Sequence, residues 1–357
     1  MDIKNISRIR LASQQLESTK LKTPKELVGW MGAMQAQDYA MSKWAIGTRL
    51  PGTTEDKVET SLDKGDILRT HILRPTWHLV SAKNIYWMLE LTAPQVKALA
   101  KARHKELELN EIVFSKSHTI IEKALRDKNH LTREELAAVL ERAKINASNE
   151  RGTHLMLQAE LDGLVCSGST KNNKQTYALL SERATKPKSI TREEAAAKLA
   201  RIYFTSHCPA TIQDFIWWSG LPVREAKTAL EAIRREFIEE KIDGESYWLS
   251  NSFTLPKQNL FYLLPAFDEF IISYKNRTAV LSTEYQKKAF TLNGIFKPTI
   301  VLNGQGIGTW KRTIKKDTVL METDFFFPPT KAVLPLLAKA TEDYGIFLNK
   351  KTILKTI

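Results

Sequence analysis

The stretch GAMQAQDY, residues 32–39, places Gln35 and Gln37 two positions apart, with Asp38 directly behind them. A glutamine side chain does not exchange a proton near neutral pH. Its carbonyl can still hold a water molecule and place a dipole beside a positive charge that develops during a reaction. Asp38 could add a carboxylate there, or it could cap a helix beginning near Met41. The alternative for both glutamines is that they are exposed turn residues or buried hydrogen-bond partners.

This chemistry requires that both amides reach one place. Residues two apart on a regular helix point about 200° apart, whereas on an extended strand they share a face. The preceding TPKELVGWMGAMQ has apolar residues at helical spacing behind Thr23 as N-cap and Pro24 as first helical residue. We therefore predict that this helix ends before Gln35 and that the chain is extended through Gln37.

Three stretches of the chain share an order of helices, a tight turn and a polar or basic hairpin. The first ends in ILRTHILRPTWHLV; the second has LTREELAAVLERA, where Thr132 and Glu135 predict a capping box, before CSGSTKNNKQTYALL. In the third, Ser219-Gly220 and Pro222 separate two helices, and KIDGESYWLS is a short hairpin. This order predicts three tandem winged helices, although amphipathic helices joined by tight turns also occur in bundles unrelated to DNA.

The composition of the sequence changes near residue 255, where β-branched and aromatic runs begin. Farther along, Asn303-Gly304 predicts a hairpin with a two-residue turn. The closing TKAVLPLLAKATEDYG has the pattern of an amphipathic helix. We predict an α+β fold in which three winged-helix units precede a small β-barrel-like domain with a C-terminal helix. The predicted boundaries are 1–105, 106–185, 186–252 and 253–357.

Composition limits the class of protein. The 357 residues include 53 basic and 40 acidic side chains, a net charge of +13 that favours a polyanionic partner such as nucleic acid. A basic but otherwise ordinary enzyme is the alternative. The sequence has neither a secretion signal nor about 18 uninterrupted apolar residues, so we expect a cytoplasmic protein without a membrane partner. Cys166 and Cys208 lack ligand spacing, so we expect two buried cysteines and no metal site.

Candidates for DNA contact lie in two of the hairpins. They are Arg69, Arg74, Thr76 and His78 in the first hairpin, and Lys171 and Lys174 in the loop STKNNK. Alternation places Arg74, Thr76 and His78 on one face of a regular strand, although Pro75 must interrupt the ladder. A buried structural histidine and solvated surface lysines are the alternatives.

In PAFDEF, Asp268 and Glu269 invite an acid-base interpretation, but adjacent strand residues face opposite sides of a sheet. We expect an ion pair or turn contact with Arg277 instead of a catalytic dyad.

The segments MQAQD, LRPTWHLV, LLPAFDEFIISYKNR and GIFKPTIVLNGQGIGTWKR together resemble the family of tandem winged-helix DNA-binding proteins that includes the AlkZ-type DNA glycosylases. The resemblance covers nearly the whole chain in the same order. It implies that the Gln-x-Gln motif formed by Gln35, Ala36 and Gln37 is the catalytic element.

The resemblance implies a monofunctional glycosylase that removes alkylated bases from double-stranded DNA, and the sequence leaves open whether crosslinks are also unhooked. A purine alkylated at N7 or N3 is already cationic and leaves as a neutral base, so amides that position water beside an oxocarbenium-like centre suffice. No cofactor is implied. Three unlike units suggest a monomer clasping one duplex, associated with the nucleoid. The alternatives are a non-catalytic regulator or architectural protein, and an enzyme acting on another substrate.

Overall fold

Short helices alternate with small sheets in the computed structural model, which describes residues 3–251 and 259–356. The first segment contains α1 (Ile3–Ser13), α2 (Pro24–Met31), β1 (Ala33–Gln35), α3 (Tyr39–Gly47), α4 (Glu55–Asp63), β2 (Ile67–His71), β3 (Trp77–Ser81) and α5 (Ile85–Glu106). Its three strands form an antiparallel sheet in the order β1-β3-β2. The long α5 then leads away from this sheet.

The second and third segments repeat the order of helices followed by an antiparallel hairpin. The second comprises α6 (Glu111–Leu125), β4 (Leu131–Thr132), α7 (Arg133–Arg142), α8 (Asn149–Leu161), β5 (Val165–Ser167), β6 (Thr176–Leu179) and α9 (Leu180–Arg183). The third comprises α10 (Arg192–Ser206), α11 (Ile212–Ser219), α12 (Val223–Ile233), β7 (Phe237–Ile242) and β8 (Glu245–Ser250). Each hairpin thus follows three helices.

The C-terminal segment is built on one larger sheet. It comprises β9 (Phe261–Leu264), α13 (Glu269–Ile272), α14 (Thr283–Ala289), β10 (Thr299–Leu302), β11 (Gln305–Ile314), β12 (Thr318–Phe325), α15 (Val333–Leu348) and β13 (Lys351–Thr356). The strand order is β13-β12-β11-β10-β9, and β13 runs parallel to β12 because α15 crosses between them. The edge strands β9 and β13 do not pair with each other in the described chain, so an open half-barrel sheet is found where the sequence predicts a β-barrel-like domain.

Several local predictions are confirmed. Thr23 caps α2 in a full capping box, with Pro24 at its start. Thr132 and Glu135 form the predicted capping box of α7. Asn303-Gly304 is the two-residue turn between β10 and β11, with both residues at positive φ as such turns require. These features depend on neighbouring residues alone, which is why the sequence predicts them.

Other expectations are corrected. The N-terminal stretch forms helix α1, which the sequence analysis did not predict. Asp268 and Glu269 do not lie on a strand, because Asp268 is the N-cap of the short helix α13 and accepts a hydrogen bond from the Phe270 amide. The predicted boundary between residues 252 and 253 lies outside the described residues.

Two hydrophobic cores join segments that are far apart in sequence. One core packs the hairpin residue Leu73 against α10 and α11, including Trp218. Another core packs Trp44 of α3 against Tyr344 and Phe347 of α15, and the Trp44 indole donates to the carbonyl of Leu263. The first segment is therefore held between the third segment and the C-terminal sheet.

A buried ion pair strengthens this junction. The Arg49 guanidinium donates to both carboxylate oxygens of Asp268, at 2.8 Å each, and both side chains are fully buried. The Cys166 and Cys208 side chains are buried and free, as predicted. Within residues 3–251 and 259–356, none of the helices has the length and apolar character needed to cross a bilayer.

Candidate active site

The chain is extended at Gln35, the last residue of β1, whereas Gln37 lies in the bend that follows, so the predicted extended conformation holds only for the first part of the motif. Gly32 ends α2 at a φ of 80°, a conformation that glycine adopts without strain, and β1 begins at the next residue. Ala36 is 1% exposed and faces the core, and its amide donates to the carbonyl of Trp77 at 2.7 Å. Gln35 and Gln37, on either side of Ala36, both line one cavity.

The two glutamines are connected to each other. The backbone amide of Gln37 donates to Oε1 of Gln35 at 2.8 Å, which fixes the orientation of the Gln35 side chain. An amide oxygen has two lone pairs, so this carbonyl can still accept one further hydrogen bond. Gln35 is buried and Gln37 is exposed. One amide is therefore preorganised at the wall of the site while the other reaches solvent.

Glu269 holds the backbone of this motif. Its Oε1 accepts the Gln35 amide proton at 2.6 Å, and its Oε2 accepts from the Trp218 indole at 3.2 Å and from the Ser273 hydroxyl. The carboxylate is 1% exposed. Burial raises the pKa of Glu269, and the hydrogen bonds that the carboxylate accepts, including that from the Ser273 hydroxyl, lower it below its ordinary value.

The His207 imidazole does not hydrogen-bond to this carboxylate. Its Nε2 lies 3.8 Å from Oε2 of Glu269, and burial lowers the pKa of His207, so the imidazole is neutral at pH 7. The Gln35 and Trp218 N–H groups and the Ser273 hydroxyl are therefore the donors that stabilise the buried anion.

Asp38 caps helix α3. One carboxylate oxygen accepts the backbone amide proton of Met41 at 3.0 Å, and Asp38 has the extended backbone of an N-cap residue. The capping role considered for Asp38 is thus confirmed. A helix cap of this type stabilises a protein by about 1 kcal/mol.

Both glutamines line a cavity of about 430 Å³ at the meeting point of three segments. Its walls are Gln35, Gln37, Arg74, Pro75, Thr76, Trp217, Phe267, Ile272, Arg277 and residues 293–296. Trp217 is 42% exposed and its indole donates to the carbonyl of Ile272 at 3.0 Å. An aromatic face, two guanidinium groups and three side-chain amides, those of Gln35, Gln37 and Asn293, therefore surround one space large enough for a small ligand.

The hairpin supplies some of the predicted binding residues to this cavity. Arg74 and Thr76 lie in the turn between β2 and β3 and line the same cavity as the glutamines. Gly220, the C-cap of α11, lets this turn approach closely, because a Cβ there would lie 2.6 Å from the Leu73 carbonyl oxygen. The sequence does not predict this contact between the first hairpin and α11.

The prediction that His78 contacts DNA is corrected by its burial. His78 is fully buried, opposite Gln35 in the β1–β3 pairing, and its Nδ1 lies 2.9 Å from the carbonyl oxygen of Thr76. Burial and the charge of Arg74 lower the pKa of His78 to about 3. The imidazole is neutral at pH 7 and supports the hairpin from within.

Arg69 and Lys174 line a second cavity, of about 440 Å³, between the first and second segments. The Arg69 Nε donates to the carbonyl of Ala36 at 3.0 Å, and its guanidinium lies 4.2 Å from the Trp77 ring centre. Lys171 lies at the exposed loop tip and pairs with Glu135 at 2.8 Å. The six predicted binding residues therefore do not form a single cluster.

The sequence does not place three residues of this candidate site, which are Glu269, Arg277 and Trp217. It predicts a contact between Arg277 and the acidic residues of PAFDEF, and this contact does not form. Instead, Arg277 Nε donates to the carbonyl of Ile271 at 3.1 Å, and Asp268 binds Arg49. Trp217 could have been noticed, because helical spacing that buries Trp218 turns its neighbour outward.

Comparisons with known proteins give the family and the fold of this chain. The family model described as DNA glycosylase AlkZ-like matches residues 28–347. The interstrand DNA cross-link repair glycosylase of Streptomyces sahachiroi is 23% identical in an alignment of 366 positions, covering 94% of this chain and 95% of that protein. The solved structure of Streptomyces sahachiroi DNA glycosylase AlkZ aligns over 100% of both chains with a TM-score of 0.82 and 17% sequence identity, a similarity of fold.

Proposed function

The chain belongs to the AlkZ-like family of DNA glycosylases, and from this premise we propose that it hydrolyses the N-glycosidic bond of purines alkylated at N7 or N3. The observation that carries the proposal is the pair of amides of Gln35 and Gln37 on the wall of one cavity. Neither amide titrates near neutral pH, which suits a leaving base that needs no general acid.

The reaction has a simple balance of charge and atoms. The bond between C1′ and the base nitrogen breaks, and its electron pair neutralises the cationic purine. A water oxygen then bonds to C1′ and loses a proton to solvent. The protein positions this water molecule and places fixed dipoles beside the oxocarbenium-like centre. The proposed reaction uses no metal or redox cofactor.

Each residue of the motif has a proposed part. The free lone pair of Gln35 Oε1 accepts a hydrogen bond from the attacking water or faces the sugar cation. Gln37, which is exposed, reaches the nucleotide from the solvent side. Asp38 adds negative charge near the sugar while it caps α3. Glu269 acts through Gln35 by holding its backbone amide, so it is a positioning residue.

We further propose that the protein clasps duplex DNA as a monomer through three winged helices, at residues 1–105, 106–185 and 186–252, followed by a half-barrel domain at 253–357. Support comes from the three sets of helices followed by a hairpin. The exposed Lys171 at one hairpin tip and Arg69 and Lys174 in the second cavity are proposed contacts to the phosphate backbone. A net charge of +13 favours this partner.

Interstrand crosslinks are a second proposed substrate class. The Streptomyces sahachiroi relative is named for crosslink repair. An N7-linked crosslink carries the same cationic purine as a simple adduct, so the same amides would serve. A cavity that opens at the junction of three segments leaves room for an adduct that continues beyond the base.

The test is release of a free base. Duplex DNA containing N7-methylguanine is incubated with excess enzyme, and the liberated base is separated and quantified over time. Release by the wild type that is lost in the Gln35→Ala, Gln37→Ala double variant supports the proposal. If the wild type releases no base from N7- or N3-alkylated duplexes, a non-catalytic DNA-binding role becomes the better assignment.

A further inference from the structure

The cavity beside the glutamines carries an uncompensated positive charge. Arg74 and Arg277 both line it, and no aspartate or glutamate is among the described residues of its wall. Along residues 3–251 and 259–356, neither arginine forms an ion pair with a carboxylate. Two guanidinium groups in one concave site, without an acidic partner, form an anion-binding arrangement.

Arg277 is held in a defined position. Its Nε donates to the Ile271 carbonyl, and its guanidinium carbon lies 5.4 Å from the Trp217 ring centre and 5.1 Å from that of Phe296. Burial and the charge of Arg74 lower the pKa of Arg277 to about 10. The Arg277 side chain is therefore charged at pH 7, and a bound anion would stabilise that charge.

Arg74 approaches the same site from the hairpin turn. Its guanidinium carbon lies 5.9 Å from the Trp217 ring centre, and its Nε is buried without a hydrogen-bond partner. The acids that influence the two arginines most are occupied elsewhere. Glu269 holds Gln35, and Asp214 accepts from the backbone amides of Thr211 and Lys275. A buried donor without a partner costs about 1–3 kcal/mol, which a ligand oxygen would recover.

We propose that Arg74 and Arg277 together bind one phosphodiester of the DNA strand that carries the damaged nucleotide. This inference rests on the proposed function. It also specifies how the DNA strand is positioned, because a phosphate fixed here places the adjoining sugar against Gln35 and Gln37. It also resolves an electrostatic conflict. A cationic base would be repelled by two free guanidinium groups, and a phosphate bound between them removes much of that repulsion.

The test is a double-mutant cycle between protein and DNA. The probe is a duplex with a tetrahydrofuran abasic-site analogue, in which single phosphodiesters near the lesion are replaced in turn by neutral methylphosphonates. Affinity is measured for the wild type, Arg74→Gln and Arg277→Gln, with melting temperatures to confirm folding. Arg277→Lys keeps the charge but loses the planar fork, and Arg142→Gln removes an exposed charge on α7 as a matched control.

In the wild type and in Arg142→Gln, one methylphosphonate position should weaken binding by roughly 10-fold, the loss of a charge-assisted contact. In Arg74→Gln and Arg277→Gln the same replacement should weaken binding by less than about 2-fold, because the partner is already missing. Arg277→Lys should fall between these limits.

The phosphate site is overturned if no single position matters in the wild type, or if the full loss persists in both glutamine variants. Either result stands whether or not the wild type releases N7-methylguanine. Conversely, one methylphosphonate position could depend on Arg74 and Arg277 while the wild type releases no base. That result would support the phosphate site and reject the glycosylase chemistry.

Discussion

Gln35 and Gln37 differ in how firmly the protein holds them. Gln35 is buried, receives the Gln37 amide proton on its side chain and donates its own backbone amide to Glu269. Gln37 is exposed. A dipole that is already fixed in place stabilises a developing charge without having to reorient. Gln35 should therefore contribute more to the rate of base excision than Gln37.

Replacing either glutamine by alanine should slow base excision by roughly 10- to 1000-fold, with the larger effect at Gln35, because a fixed dipole is removed from the reacting centre. DNA affinity should change little. Single-turnover release of N7-methylguanine measures the effect, and Gln286→Ala, on α14 outside the cavity wall, is the control. Wild-type rates in both motif variants would make the segment a structural turn only.

The excision rate should depend little on pH between about 6 and 8. The depressed pKa of Glu269 keeps the carboxylate ionised across this range, and the depressed pKa of His78, about 3, keeps the imidazole neutral. Neither group changes charge in this window, and the glutamines do not titrate. A pH-rate profile from single turnovers would contradict this if it showed the bell of a paired acid and base.

Glu269→Gln should lower the excision rate by roughly 10- to 100-fold while leaving the affinity for duplex DNA unchanged. The new amide can still accept from Gln35, but its NH₂ group would face the Trp218 and Ser273 donors, so the motif is held less firmly. The measurement separates the single-turnover rate from the dissociation constant. Equal losses in both would assign Glu269 to folding and not to positioning.

At the scale of elements, the candidate active site depends on how closely the first hairpin approaches α11. The β2–β3 turn carries Arg74 and Thr76, and α11 carries Trp217. Gly220 has a φ of 67°, and its missing Cβ leaves space for the Leu73 carbonyl oxygen. The hairpin and the helix can therefore touch through their backbones, which fixes the width of the cavity.

Gly220→Ala should destabilise the protein by about 2–5 kcal/mol, since positive φ costs about 1–2 kcal/mol and the clash with Leu73 adds about 1–3 kcal/mol. Gly244→Ala is a matched control, because Gly244 has a φ of 83° but open space around its Cβ position. Gly244→Ala should lose only about 1–2 kcal/mol, the cost of positive φ. Urea unfolding of both variants measures the difference, and equal losses would show that the hairpin does not depend on this approach.

At the scale of the whole molecule, charge is expected to govern binding to undamaged DNA. A net charge of +13 should give weak, nearly sequence-independent affinity. If about six phosphates are contacted, affinity should fall by roughly 1000-fold between about 50 and 200 mM salt. Fluorescence anisotropy with two unrelated duplexes tests this, and a salt-insensitive, sequence-selective response would favour a regulator.

The sequence by itself determined the local features of this protein. Helix caps and tight turns are made by hydrogen bonds between residues that are close in sequence, so a local pattern specifies them directly. The examples are Thr23 with Pro24, Thr132 with Glu135, and Asn303 with Gly304. The end of α2 before Gln35 could also be predicted, because two amides at this spacing cannot share a side of a regular helix.

Only the tertiary structure decided what surrounds that motif. Glu269 lies 234 positions from Gln35 in the sequence, and no local pattern indicates which of the 40 acidic side chains will accept its amide proton. Arg277 and Trp217 reach the cavity because cores shared between segments bring α11 and the C-terminal segment against the first hairpin. Burial of His78 and the open edge of the C-terminal sheet have the same origin, since both depend on packing between distant elements.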